Sequence, residues 1–91
     1  MKYVIEYSSK FKKDYKLIKK RGYDLSLLKQ VITMLAEGIT LPEKYYDHDL
    51  KGNYTGYREC HITPDWLLIY KLEKDVLVLG ITRTGTHSDL F

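Results

Sequence analysis

Alternation opens the chain. From Lys2 to Tyr7 the residues Tyr3, Ile5 and Tyr7 fall on one side, the pattern of a strand with one buried face. The period then changes. Ser8 or Ser9 caps a helix predicted through Arg21, with Phe11, Tyr15 and Ile18 as its apolar stripe and Gly22 as its stop. Asp24 caps a second helix, in which Leu27, Leu28, Val31, Ile32 and Leu35 form a wide apolar face that ends at Gly38. The short link Arg21-Gly22-Tyr23-Asp24 predicts an antiparallel helical hairpin.

Leu41-Pro42 breaks the helical pattern, and a polar, tyrosine-rich loop is expected through Gly56. Three strands follow in quick succession: Tyr57 to Ile62, Trp66 to Leu72 and Val76 to Thr84. The tight links Thr63-Pro64-Asp65 and Glu73-Lys74-Asp75 make them an antiparallel meander. The order β-α-α-β-β-β predicts an α+β fold, a predominantly antiparallel sheet with the helical hairpin on one face. Strand parity divides the two faces. Cys60 and Ile62 should meet the helices, while Tyr57, Glu59 and His61 should point to the other side, which is left for a partner or substrate.

A chain of 91 residues suits one domain spanning positions 1–91, with a single modest core. Nine tyrosines are many for that length, and most are expected as half-buried edges of the core. Cys60 is the only cysteine, so an intrachain disulfide is excluded and a reducing, cytoplasmic setting is expected. No stretch has the length or apolarity of a signal peptide or membrane span. The net charge is only +3, but it is unevenly spread. Lys2, Lys10, Lys12, Lys13, Lys16, Lys19, Lys20 and Arg21 stand against Glu6 and Asp14 in the first 21 positions, leaving the remainder net negative. Such a stretch is either a solvated helix face or a surface for a polyanion.

The candidate chemistry lies in the second half. His61 ends one strand, with Asp65 and Trp66 just across the turn. Arg83 and His87 follow the last strand, Phe91 closes the chain, and His48 lies in the loop before the meander. Metal hydrolysis fits these residues poorly. There is no His-Glu-x-x-His, no helical histidine pair, the adjacent side chains of His48 and Asp49 diverge, and Cys60 faces away from His61. Metal-independent RNA cleavage fits better, because its nucleophile is the substrate's own 2′-hydroxyl. The protein then needs a base, an acid and a cation for the phosphorane. Histidines and Arg83 supply these, and Trp66 and Phe91 suit stacking on splayed bases.

Four segments, Asp47-His48-Asp49-Leu50, Gly56-Tyr57-Arg58-Glu59-Cys60-His61, Pro64-Asp65-Trp66-Leu67-Leu68-Ile69-Tyr70-Lys71 and Arg83-Thr84-Gly85-Thr86-His87, together resemble the YafQ branch of the RelE superfamily, the ribosome-dependent mRNA-cleaving toxins of bacterial toxin–antitoxin pairs. The resemblance spans nearly the whole chain. It implies a RelE-like fold, functional positions at His48, His61, Asp65, Arg83, His87 and Phe91 with Trp66 beside them, and an acidic residue at Glu59. It also implies mRNA in the ribosomal A site as substrate, no metal or other cofactor, and a small antitoxin as inhibitor. On that basis His87 is expected as general acid, His48 or His61 as base, and Asp65 as the group that orients an imidazole. Lys12, Lys13 and Lys16 are expected on ribosomal RNA. The rival readings are a non-catalytic, ParE-like gyrase inhibitor and an inactive RNA-binding module on the same fold. The histidine cluster favours the nuclease.

Overall fold

The computed structural model describes residues 1–91 and contains strands β1 (Val4–Tyr7), β2 (His48–Asp49), β3 (Arg58–Thr63), β4 (Trp66–Glu73) and β5 (Val78–Gly85). Its helices are α1 (Ser9–Lys20), α2 (Leu25–Ala36) and the short α3 (His87–Leu90). The five strands form one sheet in the order β1-β5-β4-β3-β2. β1 runs parallel to β5, and every other neighbouring pair is antiparallel. The α+β class and the meander agree with the expectation. No helix is long and apolar enough to cross a membrane.

Local chemistry explains the helical hairpin. The Ser8 hydroxyl accepts from the Phe11 N–H at 2.9 Å and caps α1, while the Asp24 carboxylate accepts from the Ser26 N–H at 3.0 Å and caps α2. Gly22 takes φ of +80° after α1, a conformation that favours glycine. Phe11 and Ile18 from α1, with Leu28, Val31, Ile32 and Leu35 from α2, then bury against Cys60, Ile62, Leu68, Leu79 and Ile81 of the sheet. Each large aliphatic side chain so buried contributes roughly 1.5–3 kcal/mol relative to exposure.

The opposite face differs from the expectation of an open surface. β4 is apolar at successive positions because it is central and covered on both sides. Its Leu67 and Ile69 meet Leu90 of α3, with Leu50, Tyr54 and Tyr57 packed around them. Two further features depart from the sequence pattern. The region expected as a loop contains the two-residue strand β2 and 3-10 turns at Glu43–Tyr45 and Gly52–Tyr54, and the tail folds into α3. The last strand also starts at Val78 rather than Val76, after a turn in which Leu77 has φ of +54°.

Candidate active site

Register aligns the polar residues on the face away from the helices. His48 stands opposite Glu59, Glu59 opposite Ile69, and Ile69 opposite Arg83, making one row across four strands. Directly opposed residues share a face, so His48, Glu59 and Arg83 project to the same side. His61 lies in the neighbouring row, opposite Leu67, which itself faces Gly85. Three strand spacings of about 4.8 Å put the His48 and Arg83 backbones about 14 Å apart. That gap suits side chains reaching toward a shared substrate rather than toward each other.

His48 is held from both sides. Its Nδ1 lies 2.6 Å from the Tyr46 carbonyl, and its Nε2 lies 3.1 Å from Glu59 Oε2. A carbonyl only accepts, so Nδ1 donates to Tyr46, while Nε2 is turned toward the Glu59 carboxylate. The backbone beneath is fixed by Arg58. Its Nη2 donates to Asp47 at 2.9 Å and its Nη1 to Asp49 at 2.5 Å, while the Tyr70 hydroxyl also donates to Asp47. Strand alternation turns Asp47 and Asp49 to one side and His48 to the other. Burial, followed by the bond to Asp47, raises the Tyr70 pKa, which keeps the hydroxyl a donor.

His61 is arranged differently. Its Nδ1 lies 3.2 Å from the Pro64 carbonyl, so Nδ1 donates there, and Nε2 has no protein hydrogen-bond partner. The His48 and His61 ring centroids are 6.3 Å apart, and the exposed ring of Tyr46 meets His61 edge-on at 5.8 Å.

Arg83 is anchored by Asp14 of α1, with Nε at 2.7 Å and Nη2 at 3.1 Å from the carboxylate. This pairing raises the guanidinium pKa above its ordinary value, and the Tyr54 hydroxyl adds to it. Nη1 stays unoccupied by Asp14. The His87 and Phe91 rings lie against each other, tilted by 31° with centroids 5.0 Å apart, and Tyr54 meets Phe91 edge-on at 5.8 Å. The structure therefore gathers His48, Glu59 and His61 into one group, and His87, Phe91 and Tyr54 into another. Leu90 of α3 packs on Leu67 and Ile69 between them.

Two sequence expectations need correction. Trp66 does not offer its ring to a base. It is 3% exposed on the helix side of the sheet, packed edge-to-face on Tyr23 at 5.0 Å, and its indole N–H donates to the Thr84 hydroxyl at 2.8 Å. Asp65 lies exposed in the turn and its carboxylate bonds no imidazole. The carboxylate that does so is Glu59, buried and brought to His48 by the β2–β3 register. Lys12, Lys13 and Lys16 are exposed on α1, in the layer on the far side of the sheet from His48 and His61. Sequence reasoning missed Tyr46, Tyr54, Asp14 and Arg58 as parts of the site. The pair of acidic residues flanking His48, with an arginine one place before Glu59, was the available signal for the last.

No group of three or more histidine, cysteine, aspartate or glutamate side chains is arranged to hold a metal ion. Burial pushes the Cys60 thiol well above its usual range, leaving a poor ligand and nucleophile.

Known proteins share this architecture. Residues 3–91 match a family model described as the bacterial toxin of type II toxin–antitoxin systems, YafQ. The mRNA interferase toxin YafQ of Escherichia coli K12 is 48% identical over 88 residues, which cover 96% of this chain and 94% of that protein. The toxin in a crystal structure of the E. coli DinJ–YafQ complex superposes with a TM-score of 0.90 at 47% identity, covering 98% of both chains. A metal-bound toxin from Helicobacter pylori superposes with a TM-score of 0.91 at 47% identity, covering 98% of this chain and 99% of that one.

Proposed function

The chain belongs to the YafQ family of bacterial type II toxins, and from that premise we propose that it is an mRNA interferase, a ribosome-dependent endoribonuclease that cuts mRNA in the A site and is silenced by a cognate antitoxin. The observation that carries this reading is the arrangement of His61. Its Nδ1 bonds the Pro64 carbonyl, which leaves Nε2 without a protein partner on the same sheet face as Arg83.

In this mechanism His61 Nε2 removes the proton from the 2′-hydroxyl, and the freed oxygen attacks the adjacent phosphorus. Arg83 stabilises the phosphorane through its Nη1 edge, the edge Asp14 leaves open. His87 gives a proton to the departing 5′ oxygen, with Phe91 against its ring. His48, with both nitrogens facing acceptors, is a weaker base candidate than His61 and serves beside the phosphate, oriented by Glu59. Asp65 stays in the proposal only as a solvent-facing group beside the base. Acid–base chemistry of this kind requires no metal, and cleavage is expected to continue in EDTA when the purified chain carries none.

The test is expression with and without the antitoxin, followed by mapping of mRNA 5′ ends. Discrete ends within translated codons, absent for His61→Ala and His87→Ala, support the reading. Intact mRNA together with stalled DNA gyrase would replace it with the ParE-like alternative.

A further inference from the structure

We infer that Tyr46 is a base-stacking platform of this site, the aromatic surface on which an unpaired base of the RNA rests next to His61. The inference rests on the nuclease reading above but concerns a residue that reading does not use.

Tyr46 is 71% exposed and belongs to neither apolar cluster. Its backbone is left-handed, at φ 47° and ψ 43°, a conformation unfavourable for an aromatic residue. Two bonds hold it there. The Tyr46 N–H donates to the Glu43 carbonyl at 3.0 Å, and its carbonyl accepts from His48 Nδ1 at 2.6 Å. The reversal sends Tyr45 to the main core and swings the Tyr46 ring out over the opposite side. There it stands edge-on to His61 at 5.8 Å, at 67° between ring planes.

The ring borders a hollow of about 620 Å³ lined by Lys44, Tyr46, Asp47, His48, His61 and Pro64. A planar aromatic, a flexible cation and two imidazoles match the parts of a nucleotide: base, phosphate and ribose hydroxyl. A tyrosine held out of the core in a costly backbone conformation, beside the proposed base, is better explained by stacking than by packing. Trp66 cannot fill this role, being buried on the other face.

Two measurements test the inference. The first titrates the purified chain with a single-stranded trinucleotide 2′-O-methylated throughout, which binds but lacks the attacking hydroxyl, while ring resonances are followed by NMR. The Tyr46 and His61 rings should shift together, and Tyr46→Asn, which tolerates the left-handed backbone but has no ring, should abolish the His61 shift. The second measures cleavage on programmed ribosomes. Tyr46→Asn and Tyr46→Gly should raise KM by about tenfold to a hundredfold, the scale of one base–aromatic stack, with a smaller change in kcat, while Tyr46→Phe stays near wild type. Unchanged KM in Tyr46→Asn, a Tyr46→Phe variant as impaired as Tyr46→Asn, or full activity in Tyr46→Gly would each overturn the inference, as would trinucleotide shifts confined to other residues or no shifts at all. Failure of the wild-type chain to cut mRNA would defeat the nuclease reading, and the trinucleotide titration would still decide the role of Tyr46.

Discussion

Asp14 of α1 grips Arg83 of β5 along one edge of its guanidinium, at 2.7 and 3.1 Å, and the same carboxylate accepts the Thr84 N–H at 3.1 Å. Both side chains are mostly buried. One acidic residue in the basic first helix thus aims the proposed phosphate-binding cation and ties that helix to the end of the last strand.

Asp14→Ala should therefore damage both stability and function. Leaving a largely buried guanidinium and a backbone N–H without their acceptor is expected to cost about 1–3 kcal/mol. Thermal unfolding should show a lower Tm, and single-turnover cleavage should fall through loss of Arg83 positioning. Asp14→Asn, which keeps one acceptor oxygen, should lie between wild type and alanine. An Asp14→Ala variant with wild-type Tm and cleavage would show that the pair does neither job.

Arg58 supports a second prediction. It holds Asp47 and Asp49 on either side of His48, and Asp47 is also bound by Tyr70. Two residues of β-ladder are too few to fix His48 alone, so the arginine fork supplies much of the restraint. Arg58→Lys preserves charge but not the fork, and should lower kcat by about tenfold or more, because small displacements of catalytic groups are costly. NMR contacts between the His48 and Glu59 side chains should weaken in the same variant. Wild-type kcat with those contacts intact would refute the clamp.

These relationships mark where the sequence was legible. Helical period and caps located α1 and α2, and parity in β3 put Cys60 inward and Glu59 and His61 outward. Parity also misled. Trp66 sits one residue past the turn, and the register shift between His61 and Thr63 accompanies its placement on the helix side, where the Thr84 hydroxyl satisfies its indole. Hairpin proximity is visible in sequence and points to Asp65, whereas the pairing with β2 that brings Glu59 to His48 is not. A two-residue strand leaves no periodicity to detect. The tail did carry a signal, since Thr86 and Asp89 are three apart, the spacing of a capping box.

The lysines of α1 lead to a third prediction. In the proposed function Lys12, Lys13 and Lys16, exposed on α1 across the sheet from His48 and His61, contact ribosomal RNA. Replacing all three with glutamine should weaken ribosome binding and reduce the slope of log affinity against log salt by about 0.7–0.9 for each phosphate no longer neutralised. Trinucleotide binding at the histidine face should not change. An unaltered salt slope would assign the lysines to a merely solvated surface.

Asp89 sets the pH dependence of the tail. Its carboxylate accepts from Arg21 at 2.7 and 3.2 Å and from the Thr86 N–H at 2.8 Å, closing the capping box that starts α3. Gly85 makes room for it: a Cβ there would come within 2.9 Å of the carboxylate, at φ of +153°. Arg21, then the Thr86 backbone, hold the Asp89 carboxyl well below its ordinary pKa of 3.8. A carboxyl depressed in the folded state stabilises that state fully above its unfolded pKa, and the contribution fades as pH falls below it. The α3 tail should therefore be fully fixed at neutral pH and loosen progressively as the solution is acidified below about pH 4. The ring contacts His87–Phe91 and Tyr54–Phe91 report this directly. Their NMR ring-current shifts should collapse on acidification, and Asp89→Asn should show much of the loosening already at neutral pH, with reduced cleavage because His87 is carried on the same turn. Unchanged Phe91 and Tyr54 shifts in Asp89→Asn would mean that Leu90, packed on Leu67 and Ile69, holds the tail without help from the ion pair.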